Sequence, residues 1–155
     1  MALVSIYTVG RLKQAYDHPA SREFFEVGND IYLQASSSGQ LIDIFSSNRV
    51  TFPKELVEEE GFPIITLTVW KSLQSLYEFT YTGKHRKALQ DRKKWMLPYK
   101  EKHLPYVLWW SERVSDVSWN EAFKRYNYYI QQGSTPYAFD FKHAFDDKGE
   151  ICMVK

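Results

Sequence analysis

The run IITLTVW, Ile64 to Trp70, puts the tightest constraint on how this chain folds. Side chains of a strand alternate between its two faces, so Ile65, Leu67 and Val69 point one way and Ile64, Thr66, Thr68 and Trp70 the other. The first set reads as core beneath helices. The second mixes hydroxyls with an indole, as the wall of a cavity does.

The flanking sequence supplies partners for this strand. LVSIYTVG, ending at Gly10, reads as a first strand, and LIDIFS as a second, in front of a long connection with one helical turn after Pro53. Between them a helix starts near Pro19 with Phe24, Val27, Ile31 and Leu33 or Ala35 on its stripe, interrupted by the weak helix former Gly28. YVLWWS is a further strand, so Trp109 and Trp110 face opposite sides. Ser118 and Glu121 form an S-x-x-E capping box for a helix with Trp119, Ala122, Phe123, Tyr126 and Ile130 on one stripe and Gly133 at its end. In YAFDFKHAF, Tyr137, Phe139, Phe141, His143 and Phe145 share one face of a last strand.

The order is strand, helix, two strands, helix, strand, helix, strand. It predicts a single α+β domain over residues 1–155, a ferredoxin-like antiparallel sheet with helices on one face and an added helix before the last strand. Aromatic content is 17%, with five Trp, eleven Tyr and ten Phe. So many rings in one small domain imply a cavity, a subunit interface or both. The sheet face away from the helices also carries rings, which predicts a homodimer closed face to face as a dimeric α/β barrel.

The helix after Trp70 carries a change of register. Leu73, Leu76, Tyr77, Thr80 and Tyr81 make one stripe; beyond Gly83 it becomes His85, Ala88, Leu89, Arg92 and Met96, with Trp95 beside it. The two stripes are offset by roughly a quarter turn, which predicts a kink or break at Gly83.

Several classes of function are disfavoured. Net charge is +1, with no global drive toward nucleic acid or anionic lipid. The sole cysteine, Cys152, permits no intrachain disulfide, and no segment approaches a membrane span or a signal peptide, so a cytoplasmic protein is expected. His18, His103 and His143 are scattered without zinc-site spacing, and no G-x-S-x-G elbow or phosphate loop is present.

VWKSLQSLYEFTYTGKHRKALQDRKKWM, YVLWW and EAFKRYNYYIQQGSTPYAFDFKHAF resemble domain-of-unknown-function family 3291, of the dimeric α/β-barrel superfamily. That superfamily includes antibiotic-biosynthesis monooxygenases, haem-degrading oxygenases and small stress-responsive barrels. Trp70, Phe79, His85, Trp95, Trp109, Trp110, Glu121, Gly133, Pro136 and Phe139 fall on typical positions. This chain departs from the family pattern after the tandem tryptophans, where SERVSDVS replaces a Gly-His step, and at Gln40 and Ile42, where a Phe and a Trp are usual.

His85 is the candidate catalytic residue: it lies on the inward stripe, and an imidazole near rings serves as acid, base or haem ligand. Trp70, Tyr77, Tyr81, Trp95 and either Trp109 or Trp110 are candidate walls of a substrate pocket, against the alternative that such rings are core or interface. Lys84, Arg86, Lys87, Arg92, Lys93 and Lys94 form either a solvated helix face or a cradle for an anionic substrate or haem propionates. Three functions follow: a cofactor-independent, monooxygenase-like enzyme acting on a small aromatic or apolar substrate, a haem protein with His85 as axial ligand, or a dimer that binds an apolar ligand without turnover.

Overall fold

The computed structural model describes residues 2–155. Strands β1 (Leu3–Leu12), β2 (Leu41–Ile44), β3 (Phe62–Trp70) and β4 (Tyr106–Ser111) form one antiparallel sheet in the order β2-β3-β1-β4. That is the ferredoxin-like arrangement the element order predicts. β1 and β3 are its centre, paired from Val4–Trp70 to Leu12–Phe62, and each is largely buried on both faces.

Among the described residues five α-helices accompany these strands: α1 (Pro19–Ser37), the short α2 (Lys54–Glu58), α3 (Leu73–Tyr81), α4 (Gly83–Asp91) and α5 (Trp119–Gln132). Gly28 does not interrupt α1, since the space around it is open and the stripe through Ser21 and Ala35 anchors the helix on either side. Ala35 closes that stripe, while Leu33 is exposed. α5 begins at Ser118, whose hydroxyl accepts from the Glu121 amide at 3.1 Å; the Glu121 carboxylate turns instead to Arg125 at 2.8 Å, so only half of the capping box forms.

The helices divide between the two faces of the sheet. Val4, Ile6, Trp70 and Leu108 pack under Ala35 of α1, Leu73 and Leu76 of α3, and Phe139 and Phe141. Tyr7, Leu67, Val69, Val107 and Trp109 pack under Ala122 and Tyr129 of α5 and the loop residues Phe45, Val50 and Phe52. The assignment of faces expected from β3 is therefore exchanged: Thr68 and Trp70 lie beneath α3, and Ile65, Leu67 and Val69 beneath α5. Alternation separates two faces but does not say which receives which helix. The added helix also removes the reason given for a face-to-face dimer, because the second face is covered by the chain itself.

The last strand is much shorter than the alternation in YAFDFKHAF predicts. Phe139 makes one bridge to Leu108 beside β4, with amides and carbonyls exchanged at 2.8 and 3.0 Å. Asp140 then turns the chain: its buried carboxylate accepts from the Tyr129 hydroxyl at 2.7 Å and from the His143 amide at 2.9 Å. His143 and Tyr137 are left exposed, and strand structure resumes only in the β5 (Ala144–Phe145) and β6 (Ile151–Cys152) hairpin.

The break at Gly83 is present. α3 stops at Tyr81, Thr82 is extended at φ −130° and ψ 164°, and Gly83 takes φ +56° before α4 begins. Beyond α4, Trp95–Leu97 runs beside the end of β1, where Lys13 donates to the Trp95 carbonyl and Leu97 to that of Arg11, at 2.8 and 2.9 Å. Met96 lies directly on Gly10, where a Cβ would approach its Sδ to 2.6 Å.

Candidate functional site

His85 sits in the first turn of α4, half-buried, with its ring 6.0 Å from Phe79, which in turn lies 5.0 Å from Trp70. Its Nδ1 is 2.8 Å from the Thr80 carbonyl. A carbonyl only accepts, so Nδ1 carries the proton and Nε2 the lone pair. Thr80 is in the last turn of α3, where carbonyls lose their helical partners, so the imidazole satisfies one of them across the break. Burial lowers the pKa of His85 and the Thr80 carbonyl opposes the shift, leaving a neutral ring favoured.

The other expected pocket residues do not converge on it. Trp70 is buried, and its indole N–H donates to the Thr68 hydroxyl at 2.8 Å. Tyr77 and Tyr81 stack near each other and both edge onto Phe141, at 5.4 and 5.8 Å. Trp95 packs on Phe24 of α1, with its carbonyl bound to Lys13 beyond the end of β1. Trp109 lies on the opposite face of the sheet, fully buried beneath α5, so it cannot share a pocket with His85 and Trp70. Trp110 faces the helix layer and donates to the Phe145 carbonyl at 2.8 Å. Of the basic run, all but Arg92 are exposed.

A cavity of about 550 Å³ opens on the other face, between the sheet, α5, α2 and the loop after Trp95. Its volume suits a small organic ligand. Tyr7 and Val9 of β1 form the floor, Phe123, Tyr126 and Ile130 of α5 one wall, and Leu56, Leu97 and Tyr99 much of the rest. Arg11 builds the wall nearest α2: its guanidinium donates to the Leu56 and Glu55 carbonyls at 2.5 and 3.2 Å and pairs with Glu59 at 3.3 Å.

Tyrosine hydroxyls give the cleft its polarity. The Tyr99 hydroxyl lies 3.1 Å from the Leu104 carbonyl and 2.5 Å from the Tyr126 hydroxyl. The carbonyl takes the Tyr99 proton, so Tyr126 donates to Tyr99 and keeps its lone pairs free. Tyr7 is 1% exposed and ringed edge-on by Trp119, Phe123 and Tyr126, yet among the described residues its hydroxyl has no hydrogen-bond partner. Burial is the first cause in all three phenols: it raises Tyr7 and Tyr99 far above the ordinary range and Tyr126 to about 12. They are neutral donors throughout the physiological range. Arg92 also lines the cleft, half-buried.

His85 and the cleft lie on opposite faces of the sheet, so His85 does not reach a ligand held in the cleft. Sequence reasoning missed Tyr7, Tyr99 and Tyr126 as site residues. The available signal was the shared inward direction of Tyr7 and the α5 stripe; Tyr99 sits in a loop where no periodicity exists.

Residues 3–153 match the model of the family described as Domain of unknown function (DUF3291). No curated protein matches the chain. Since the match spans nearly the whole chain and the sheet is the ferredoxin-like one, the protein belongs to the DUF3291 family.

Proposed function

We propose that the protein binds a small, partly apolar molecule in the cleft between the sheet and α5. The observation that carries this is the cleft itself, about 550 Å³ and walled by rings and aliphatic side chains, with the Tyr7 hydroxyl at its floor free of any side-chain hydrogen bond. A ligand that accepts from or donates to that hydroxyl makes a hydrogen bond for which no side chain competes. The surrounding rings and aliphatic side chains suit an aromatic or hydrocarbon body.

A monooxygenase-like conversion is the second reading, and the trio of neutral phenols favours it. Tyr7 supplies a free hydroxyl proton able to stabilise an oxygen that gains charge during a reaction, with the hydrogen-bonded Tyr99 and Tyr126 beside it. His85 takes no part in either reading and acts as the tie between α3 and α4. The homodimer rests on the superfamily resemblance alone, since α5 fills the face it was to cover. Among the described residues no helix is long and apolar enough to cross a membrane, and the cytoplasmic setting belongs to the same proposal.

Thermal shift against a panel of small aromatic compounds tests the site. Hits should lose about fivefold in affinity in Tyr7→Phe, the equivalent of one hydrogen bond. Hits unaffected by Tyr7→Phe but lost in His85→Ala would move the site to the other face.

A further inference from the structure

We propose that the ligand of the cleft is a monocarboxylate whose carboxyl group pairs with Arg92, an inference that rests on the cleft being the binding site. Arg92 stands on the turn Arg92–Lys94 that follows α4, half-buried and lining the cavity. Its backbone is hydrogen-bonded within the turn, but among the described residues its guanidinium makes no hydrogen bond and no ion pair. Its neighbour Asp91 is committed to Lys87 at 3.3 Å and Lys94 at 3.8 Å. Arg11, the other arginine of the cleft, is spent on Glu59 and two backbone carbonyls. One cation is thus drawn from water beside the cavity with five donors and no acceptor.

A guanidinium stays charged in proteins, so withdrawing it without a counterion is unfavourable until an anion arrives. Burial lowers the Arg92 pKa, which agrees with that position, and the Tyr99 oxygen nearby offsets part of it. The planar fork of arginine matches the two oxygens of a carboxylate. The phenols oppose nothing, being neutral, and the free Tyr7 proton provides a further donor.

The rim selects against higher charge. Glu55, Glu60 and Glu101 lie on it, exposed and, among the described residues, without ion pairs, against the single exposed lysine Lys100. A phosphate dianion would meet three carboxylates with only Arg92 and Lys100 to hold it, whereas a single negative charge is matched by Arg92 alone. Leu56, Leu97, Phe123 and Ile130 then enclose an apolar body.

Calorimetric titration of 4-hydroxyphenylacetate and indole-3-acetate, each against its primary amide, tests this on the full chain. Wild type should bind the carboxylates at least tenfold tighter than the amides. Arg92→Gln should abolish that preference, with carboxylate affinity falling far more than amide affinity, and Arg92→Lys, charged but without the fork, should fall between. If Arg92→Gln does not fold by circular dichroism, the wild-type preference and its reduction in Arg92→Lys decide. Equal binding of acid and amide in wild type, with both weakened by Tyr7→Phe, overturns the carboxylate inference and leaves the cleft standing. Binding untouched by Tyr7→Phe, or neither acid nor amide bound at millimolar concentration, overturns both.

Discussion

The two faces of the sheet carry similar numbers of rings but treat their polar groups differently. On the helix-layer face, Trp70 donates to Thr68, Trp110 to the Phe145 carbonyl and His85 to Thr80. Each group there has a partner within the chain, which is what a folded core requires. On the α5 face, the Tyr7 hydroxyl and the Arg92 guanidinium have none and both line a cavity, while the Trp109 indole N–H and the Ser5 hydroxyl are buried without a partner. Aromatic density therefore does not distinguish a site from a core in this protein. Unspent hydrogen-bonding capacity beside open volume does.

The largest expected effect separates the faces by stability. Trp70→Ala removes a buried indole from the helix-layer core and should cost about 3–5 kcal/mol in urea unfolding. Tyr7→Phe keeps the ring and removes only a hydroxyl without a protein partner. It should change stability by less than about 1 kcal/mol, because no protein hydrogen bond is lost. A loss of several kcal/mol in Tyr7→Phe would mean that the hydroxyl is structurally engaged and would erase the contrast.

How far this was legible in the sequence follows from which signals are local. β3 and α5 announce themselves by periodicity and capping, and the offset of stripes at Gly83 locates the break between α3 and α4. Periodicity could not say that α5 crosses to the other face, since that depends on the path of the chain after β4. The cleft was illegible for another reason. Tyr7, Arg92, Tyr99 and Tyr126 come from a strand, a turn, a loop and a helix, and only tertiary structure brings them to one volume. His85 was legible as an inward residue, but its partner is a backbone carbonyl, which no side-chain pattern records.

The hinge between α3 and α4 gives a smaller effect. Gly83 has φ +56°, and a Cβ there would meet only the Gln34 side-chain nitrogen at 3.6 Å. Space is therefore not the obstacle; the left-handed backbone is. Gly83→Ala should cost about 1 kcal/mol. It should leave carboxylate binding at the α5 face unchanged, because α3 does not line the cleft. Lost binding with modest destabilisation would couple the two faces and defeat the comparison.

The smallest effect is the pH dependence carried by His85. Its folded pKa lies below the ordinary value of 6.5 because burial disfavours the imidazolium. The unfolded chain consequently binds the proton more readily, and stability falls as pH drops through 6.5 toward the folded pKa. Above 6.5 both states are neutral, and the contribution is constant. Carboxylates also titrate on acidification, so the informative quantity is the difference between wild type and His85→Gln measured at pH 7.5 and again at 5.5. Glutamine can still donate to the Thr80 carbonyl but does not titrate, so the wild type should lose more stability than the variant over that interval. Ligand affinity at the α5 face should differ little between the two proteins at either pH. A variant with the same acid slope as wild type, or one that loses ligand binding at pH 7.5, would give His85 a role other than joining the two helices.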